Sequence, residues 1–248
     1  MSAFTAEIIG TAMLVLFGNG VVANVVLTRT KGNGGGWLLI NAGWGIAVYV
    51  GAFCANQFSG AHLNPAVSVA MCVAGEMEIG TMAIYLVAQM IGAFIGAVLV
   101  YVFYREHFAV TEDPDLKLAC FCTAPNIRNN FQAFICEAIG TFALILPIFL
   151  MVTRTLIQGA DPVDTDPILG LGSLGLLPVA LLVFGIGMSL GGTTGYAINP
   201  ARDLGPRIVH ALLPIPGKRD SDFGYAWVPV AGPLVGAILA AVVYQVLA

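Results

Sequence analysis

The sequence predicts an all-α membrane protein with six transmembrane helices and two re-entrant half-helices, arranged as an inverted repeat. Three observations carry that prediction: a composition 58% hydrophobic and 10% charged, six long apolar stretches, and a set of short motifs that occurs twice in one order. A soluble domain has about a quarter of its residues charged, so this chain is made for hydrocarbon. A bilayer core about 30 Å thick needs about 20 apolar residues per helix, and 248 residues accommodate six such spans as one domain. The net charge of −4 excludes a basic nucleic-acid surface. Cys54, Cys72, Cys120, Cys122 and Cys136 show no metal or disulfide spacing and read as free thiols.

The apolar stretches fall at 3–27, 37–56, 79–104, 131–153, 174–191 and 226–247, each bounded by charge, Pro or Gly. The first contains Glu7 and follows no basic segment, so it reads as a span and not a cleavable leader. Segments 64–75 and 199–212 are too short to cross, and each opens on Asn-Pro. Proline suits the first helical turn, where its missing N–H has no partner to lose, so half-helices are expected from Pro65 and Pro200. Gly170 to Gly175 formally fits a dinucleotide fingerprint, but no strand precedes it, and it reads as the lead-in to the fifth span.

The two halves, about 1–105 and 130–248, match in three places. Ala6-Glu7-Ile8-Ile9-Gly10-Thr11 corresponds to Cys136-Glu137-Ala138-Ile139-Gly140-Thr141. Gly60-Ala61-His62-Leu63-Asn64-Pro65 corresponds to Gly195-Tyr196-Ala197-Ile198-Asn199-Pro200, and Gly92/Gly96 correspond to Gly232/Gly236. Three spans per half is an odd number, so the second half enters the membrane from the opposite side.

Irregular backbone at membrane depth survives only where protein or water satisfies it. Gly60 and Gly195 give that freedom, and the carbonyls of Gly60, Ala61, His62, Gly195, Tyr196 and Ala197, held extended, are expected to line a water-filled path. Asn64 and Asn199 are expected as N-caps at the pore centre, with side-chain oxygens on helix N–H groups and amide N–H₂ groups toward solute. Two helix N-termini at one depth, each about half a positive charge, repel cations. Arg202, in the first turn of its half-helix, offers fixed donors to hydroxyls. Asp203 is expected to pair with a loop donor, and Arg207 to snorkel from its helix. Glu7 and Glu137, the acids inside the spans, are expected to brace the re-entrant loops, with His62 bracing beside them. The glycine pairs read as close helix contacts, within the bundle or between subunits.

With Asn64-Pro65-Ala66 and Asn199-Pro200-Ala201-Arg202 in inverted halves, the chain resembles the major intrinsic protein family of aquaporins and glycerol facilitators. The resemblance covers nearly the whole chain. It implies a right-handed bundle with one pore per subunit, usually a homotetramer in the cell membrane, with no cofactor, no metal and no enzymatic activity. Asp203, Arg207 and Pro229-Val230 resemble the glycerol-conducting aquaglyceroporin branch. The family's spacing places a selectivity filter on Trp44, Gly187, Tyr196 and Arg202: room at Gly187, an apolar corner of Trp44 and Tyr196, and donors from Arg202. The implied function is passive conduction of glycerol, water and other small neutral solutes, with ions and protons excluded. A water-selective pore is the rival within the family, and an ion-coupled transporter the rival outside it. The family orientation places both termini in the cytoplasm, with Arg154 inside and Arg29, Lys31, Arg105, Lys117, Arg128, Lys218 and Arg219 outside. The positive-inside rule favours the reverse.

Overall fold

The computed structural model describes residues 1–151 and 172–247. Arg154, Gly170, Leu171 and the last two positions of the fourth expected span lie outside the described residues. The α elements of the described residues follow in the order α1 (Ala3–Val26), α2 (Gly36–Ser59), α3 (Pro65–Ala74), α4 (Ile79–Phe103), α5 (Arg105–Val110), α6 (Pro114–Ala119), α7 (Asn130–Leu150), α8 (Leu177–Leu190), α9 (Pro200–Leu212) and α10 (Val228–Leu247), joined by irregular loops. A 3₁₀ turn, Gly172–Leu176, leads into α8 and makes the fifth membrane-length segment 19 residues long. Among the described residues, six segments are long and apolar enough to span. With a rise of 1.5 Å per residue, the ten residues of α3 and thirteen of α9 reach only part of the way.

Local chemistry sets the ends. Ser2 caps α1 by accepting from Thr5 N–H, and Asn129 caps α7 by accepting from Gln132 N–H. Gly60 closes α2 and Gly75 closes α3 in the left-handed region, at φ 78° and 84°. Two short helices, α5 and α6, were not expected; α6 begins at Asp113-Pro114, the same cap-and-proline start as the half-helices but in a polar segment.

Small residues bring the spans together within the chain. A Cβ on Gly96 would stand 2.6 Å from Ala12 O and 2.8 Å from Val15 Cβ, so α4 lies backbone-close on α1. A Cβ on Gly232 would stand 2.7 Å from Glu137 Cβ, which fixes α10 against α7 in the same manner. Of the two readings for these glycines, the contact inside the bundle is the one observed. Half-helix α9 packs on α4, and α3 packs on α10. Large apolar side chains such as Ile79, Phe103 and Val246 face outward, as lipid requires.

Candidate functional site: a pore between two half-helices

The loop before each half-helix is held by a buried carboxyl group. Glu7 accepts from Ser59 Oγ (2.6 Å) and His62 N–H (2.9 Å) on one oxygen, and from Leu63 N–H and Gln89 Nε2 (both 2.8 Å) on the other. Glu137 accepts from Thr194 Oγ1 (2.7 Å) and Ala197 N–H (3.0 Å), and from Ile198 N–H (2.8 Å). Ser59, His62 and Leu63 correspond one for one to Thr194, Ala197 and Ile198. His62 contributes its ring as well, with Nδ1 3.0 Å from Ser68 Oγ and its edge on Tyr85.

These loops are not extended. Gly60 and Gly195 take positive φ, and so do Ala61 (53°), Leu63 (52°), Tyr196 (37°) and Ile198 (42°). An extended run sends successive carbonyls to opposite sides, whereas residues of opposite handedness in succession break that alternation. Positive φ costs a non-glycine residue about 1–3 kcal/mol, and the bonds from the neighbouring N–H groups to Glu7 and Glu137 hold it in place.

The half-helices meet N-terminus to N-terminus. Asn64 Oδ1 accepts from Ala66 N–H, and Asn199 Oδ1 from Ala201 and Arg202 N–H. Each amide nitrogen also crosses over, Asn64 Nδ2 donating to Ile198 O (2.9 Å) and Asn199 Nδ2 to Leu63 O (2.8 Å). One N–H per asparagine is therefore spent on locking the loops together, which leaves the other for a solute.

Two cavities flank this junction. One, about 840 Å³, is lined by Gly60, Ala61, His62, Asn64 and Asn199 against apolar walls from α1, α2, α7 and α8. The other, about 520 Å³, is lined by Trp37, Trp44, Thr123, Gly195, Tyr196 and Arg202. Ala197 borders neither cavity, and Gly187 lies behind Tyr196.

Arg202 is 7% exposed, and its guanidinium carbon stands 4.3 Å from the centre of the Trp44 ring. Among the described residues no protein group accepts from that guanidinium, so its donors are available to the cavity. Trp37, absent from the sequence reading of the site, donates its indole N–H to Gly187 O (3.1 Å) and meets the Tyr196 ring edge-on. Because a Cβ on Gly187 would stand 2.7 Å from Tyr196 Cζ, Gly187→Ala is expected to push that ring into the slot. Permeability to any small neutral solute the cavity admits should fall about tenfold, the cost of a modest overpacking strain, with the protein still folded; an unchanged rate would show that the ring has room.

Arg207 does not snorkel. It is wholly buried, with Nε and Nη2 on Asp203 Oδ1 (2.9 and 2.8 Å), Nη1 on Ser221 O and Asp222 O, and Nη2 on Thr123 O. Asp203 gives its other oxygen to Thr123 N–H and Oγ1, both at 2.7 Å. Asp203 one turn earlier, with loop carbonyls above it, outcompetes the water interface. Nearby cations are likewise committed: Lys117 to Pro216 O, Arg219 to Asp115, Arg128 bidentately to Asp222, and Lys218 to the last carbonyls of α9. The Asp222 carboxylate raises the Arg128 pKa, and burial lowers that of Lys218.

Six membrane-length helices around two half-helices joined at paired asparagines define a multi-pass membrane channel. The model of the major intrinsic protein family matches residues 1–244, and the chain belongs to that family. It is 46% identical to a protein of Thermotoga maritima named "Probable glycerol uptake facilitator protein", over 99% of both chains. It is also 46% identical to the glycerol uptake facilitator protein of Bacillus subtilis, over 99% of this chain and 84% of that one. The solved aquaglyceroporin of Plasmodium falciparum superposes with a TM-score of 0.81 at 31% identity, covering 98% of this chain and 94% of that one.

Proposed function

We propose that this chain is a passive channel for glycerol and other small uncharged solutes, water among them, that excludes ions and protons. Trp44, Gly187, Tyr196 and Arg202 form its filter, Asn64 and Asn199 its centre, and the loop carbonyls of Gly60, Ala61, His62, Gly195 and Tyr196 its acceptor rows. Residues 1–105 and 130–248 act as inverted halves of one domain, with one pore per chain and four chains per assembly. The observation that carries this reading is the buried Arg202, stacked on Trp44 with its donors open to the cavity. A carbon backbone lies against the aromatic rings while its hydroxyls accept from the guanidinium. A cation meets that charge and two helix N-termini. The relatives' names support glycerol as the first solute.

Stopped-flow light scattering of proteoliposomes under separate glycerol and sorbitol gradients tests the proposal. Glycerol should re-enter rapidly, at a rate linear in concentration and indifferent to collapsed proton and sodium gradients. Saturable, gradient-dependent uptake would replace the channel by a transporter, and water flux without glycerol would make it a water pore.

A further inference from the structure

Asn41 is fully buried on α2, and neither end of its carboxamide has a hydrogen-bond partner among the described residues. The Tyr196 hydroxyl is also buried and without a partner there. Both face one backbone position: a Cβ on Gly187 would stand 2.5 Å from Asn41 Oδ1 and 2.7 Å from Tyr196 Oη. Two atoms that near a common point are within the span of a single bridging oxygen.

Buried polar groups are seldom left unpaired, and polar side chains at membrane depth mark pathways. The carboxamide accepts at its oxygen and donates at its nitrogen, and the phenol does both. Together they complement a neutral hydroxyl, which also does both. Arg202 can only donate, so a hydroxyl held by it still has a proton to place, and Asn41 Oδ1 and Tyr196 Oη are acceptors for one. The surroundings are rigid: Trp37, Asn41 and Trp44 share a face of α2 at i, i+4 and i+7, and Trp37 pins the Gly187 carbonyl.

We propose that Asn41 and the Tyr196 hydroxyl form a hydroxyl-binding subsite behind the Tyr196 ring, against Gly187, taking one oxygen of a polyol or of water. Asn41 is thereby a specificity-determining residue of the conduction proposed above, on which this inference rests.

Asn41→Leu removes both polar atoms at similar volume, and Tyr196→Phe removes the hydroxyl alone. Proteoliposomes of each, and of the double variant, are compared for permeability to glycerol and to 1,2-propanediol, which has the same three carbons and one hydroxyl fewer. Each single variant should lower the glycerol-to-propanediol ratio about fivefold or more, the worth of one hydrogen bond. The double variant should lower it no further, since both changes empty one subsite. If the occupant is a resident water, the two permeabilities fall together in each single variant, again without a further fall in the double. Unchanged permeabilities in both single variants, or additive effects in the double, overturn the subsite. Wild-type glycerol flux in the same vesicles tests the channel reading by itself, so normal flux with unaltered variants discards the subsite alone.

Discussion

Glu7→Ala and Glu137→Ala should each abolish glycerol conduction and lower thermal stability, Glu7→Ala the more severely. Glu7 satisfies four donors and Glu137 three, all inside the bundle. An unpaired buried donor costs about 1–3 kcal/mol, so losing either carboxyl group should cost roughly 3 kcal/mol or more. The stranded N–H groups belong to His62 and Leu63 or to Ala197 and Ile198, the segments that hold positive φ. Without the brace these loops relax toward ordinary dihedrals and close the path. Gln in place of Glu should be intermediate, because its amide N–H₂ faces a donor where an oxygen had accepted. The exposed Glu76 supplies the control, and Glu76→Ala should leave both properties unchanged. Unfolding midpoints in detergent and glycerol re-entry in proteoliposomes give the two readouts. Wild-type values for Glu7→Ala in both would show that the loops hold themselves.

Those two glutamates were legible because a carboxyl group in an apolar stretch is a strong local signal and the repeat places the pair at matching positions. The half-helices were legible for a similar reason, since Asn-Pro is both cap and first turn. The left-handed residues Ala61, Leu63, Tyr196 and Ile198 were not. Their side chains carry no mark of positive φ, and the strain is held by carboxyl groups 55 to 61 positions from the loop N–H groups they bind. Trp37 and Asn41 did carry a signal, their shared helix face with Trp44. Which face of α2 looks toward the path is decided by its packing between α1 and α8, which periodicity alone leaves open. Arg207 was misread because its acceptors, Thr123 and the 221–222 loop, adjoin it only in the folded chain.

Arg207 carries the other large effect. Arg207→Met should destabilise the protein by about 3–5 kcal/mol, the cost of stripping one partner from a buried ion pair. Asp203 then keeps its Thr123 donors but stands as an uncompensated charge, and α9 loses its ties to the carbonyls of Thr123, Ser221 and Asp222. Since Thr123 and Arg202 line the same cavity, glycerol flux should fall even in molecules that stay folded. Asp203→Leu alone should be comparably harmful, leaving the guanidinium without its counter-charge. The double variant Asp203→Leu/Arg207→Met separates charge pairing from simple loss of contacts. With no lone charge left, it should be more stable than the sum of the single effects implies, by a coupling of about 1 kcal/mol or more. Additive unfolding midpoints across the cycle would mean that the pair acts through its separate backbone contacts. A positive coupling together with lost flux would instead show that the pair's functional task is to fix Thr123 beside Arg202, at the mouth of the filter.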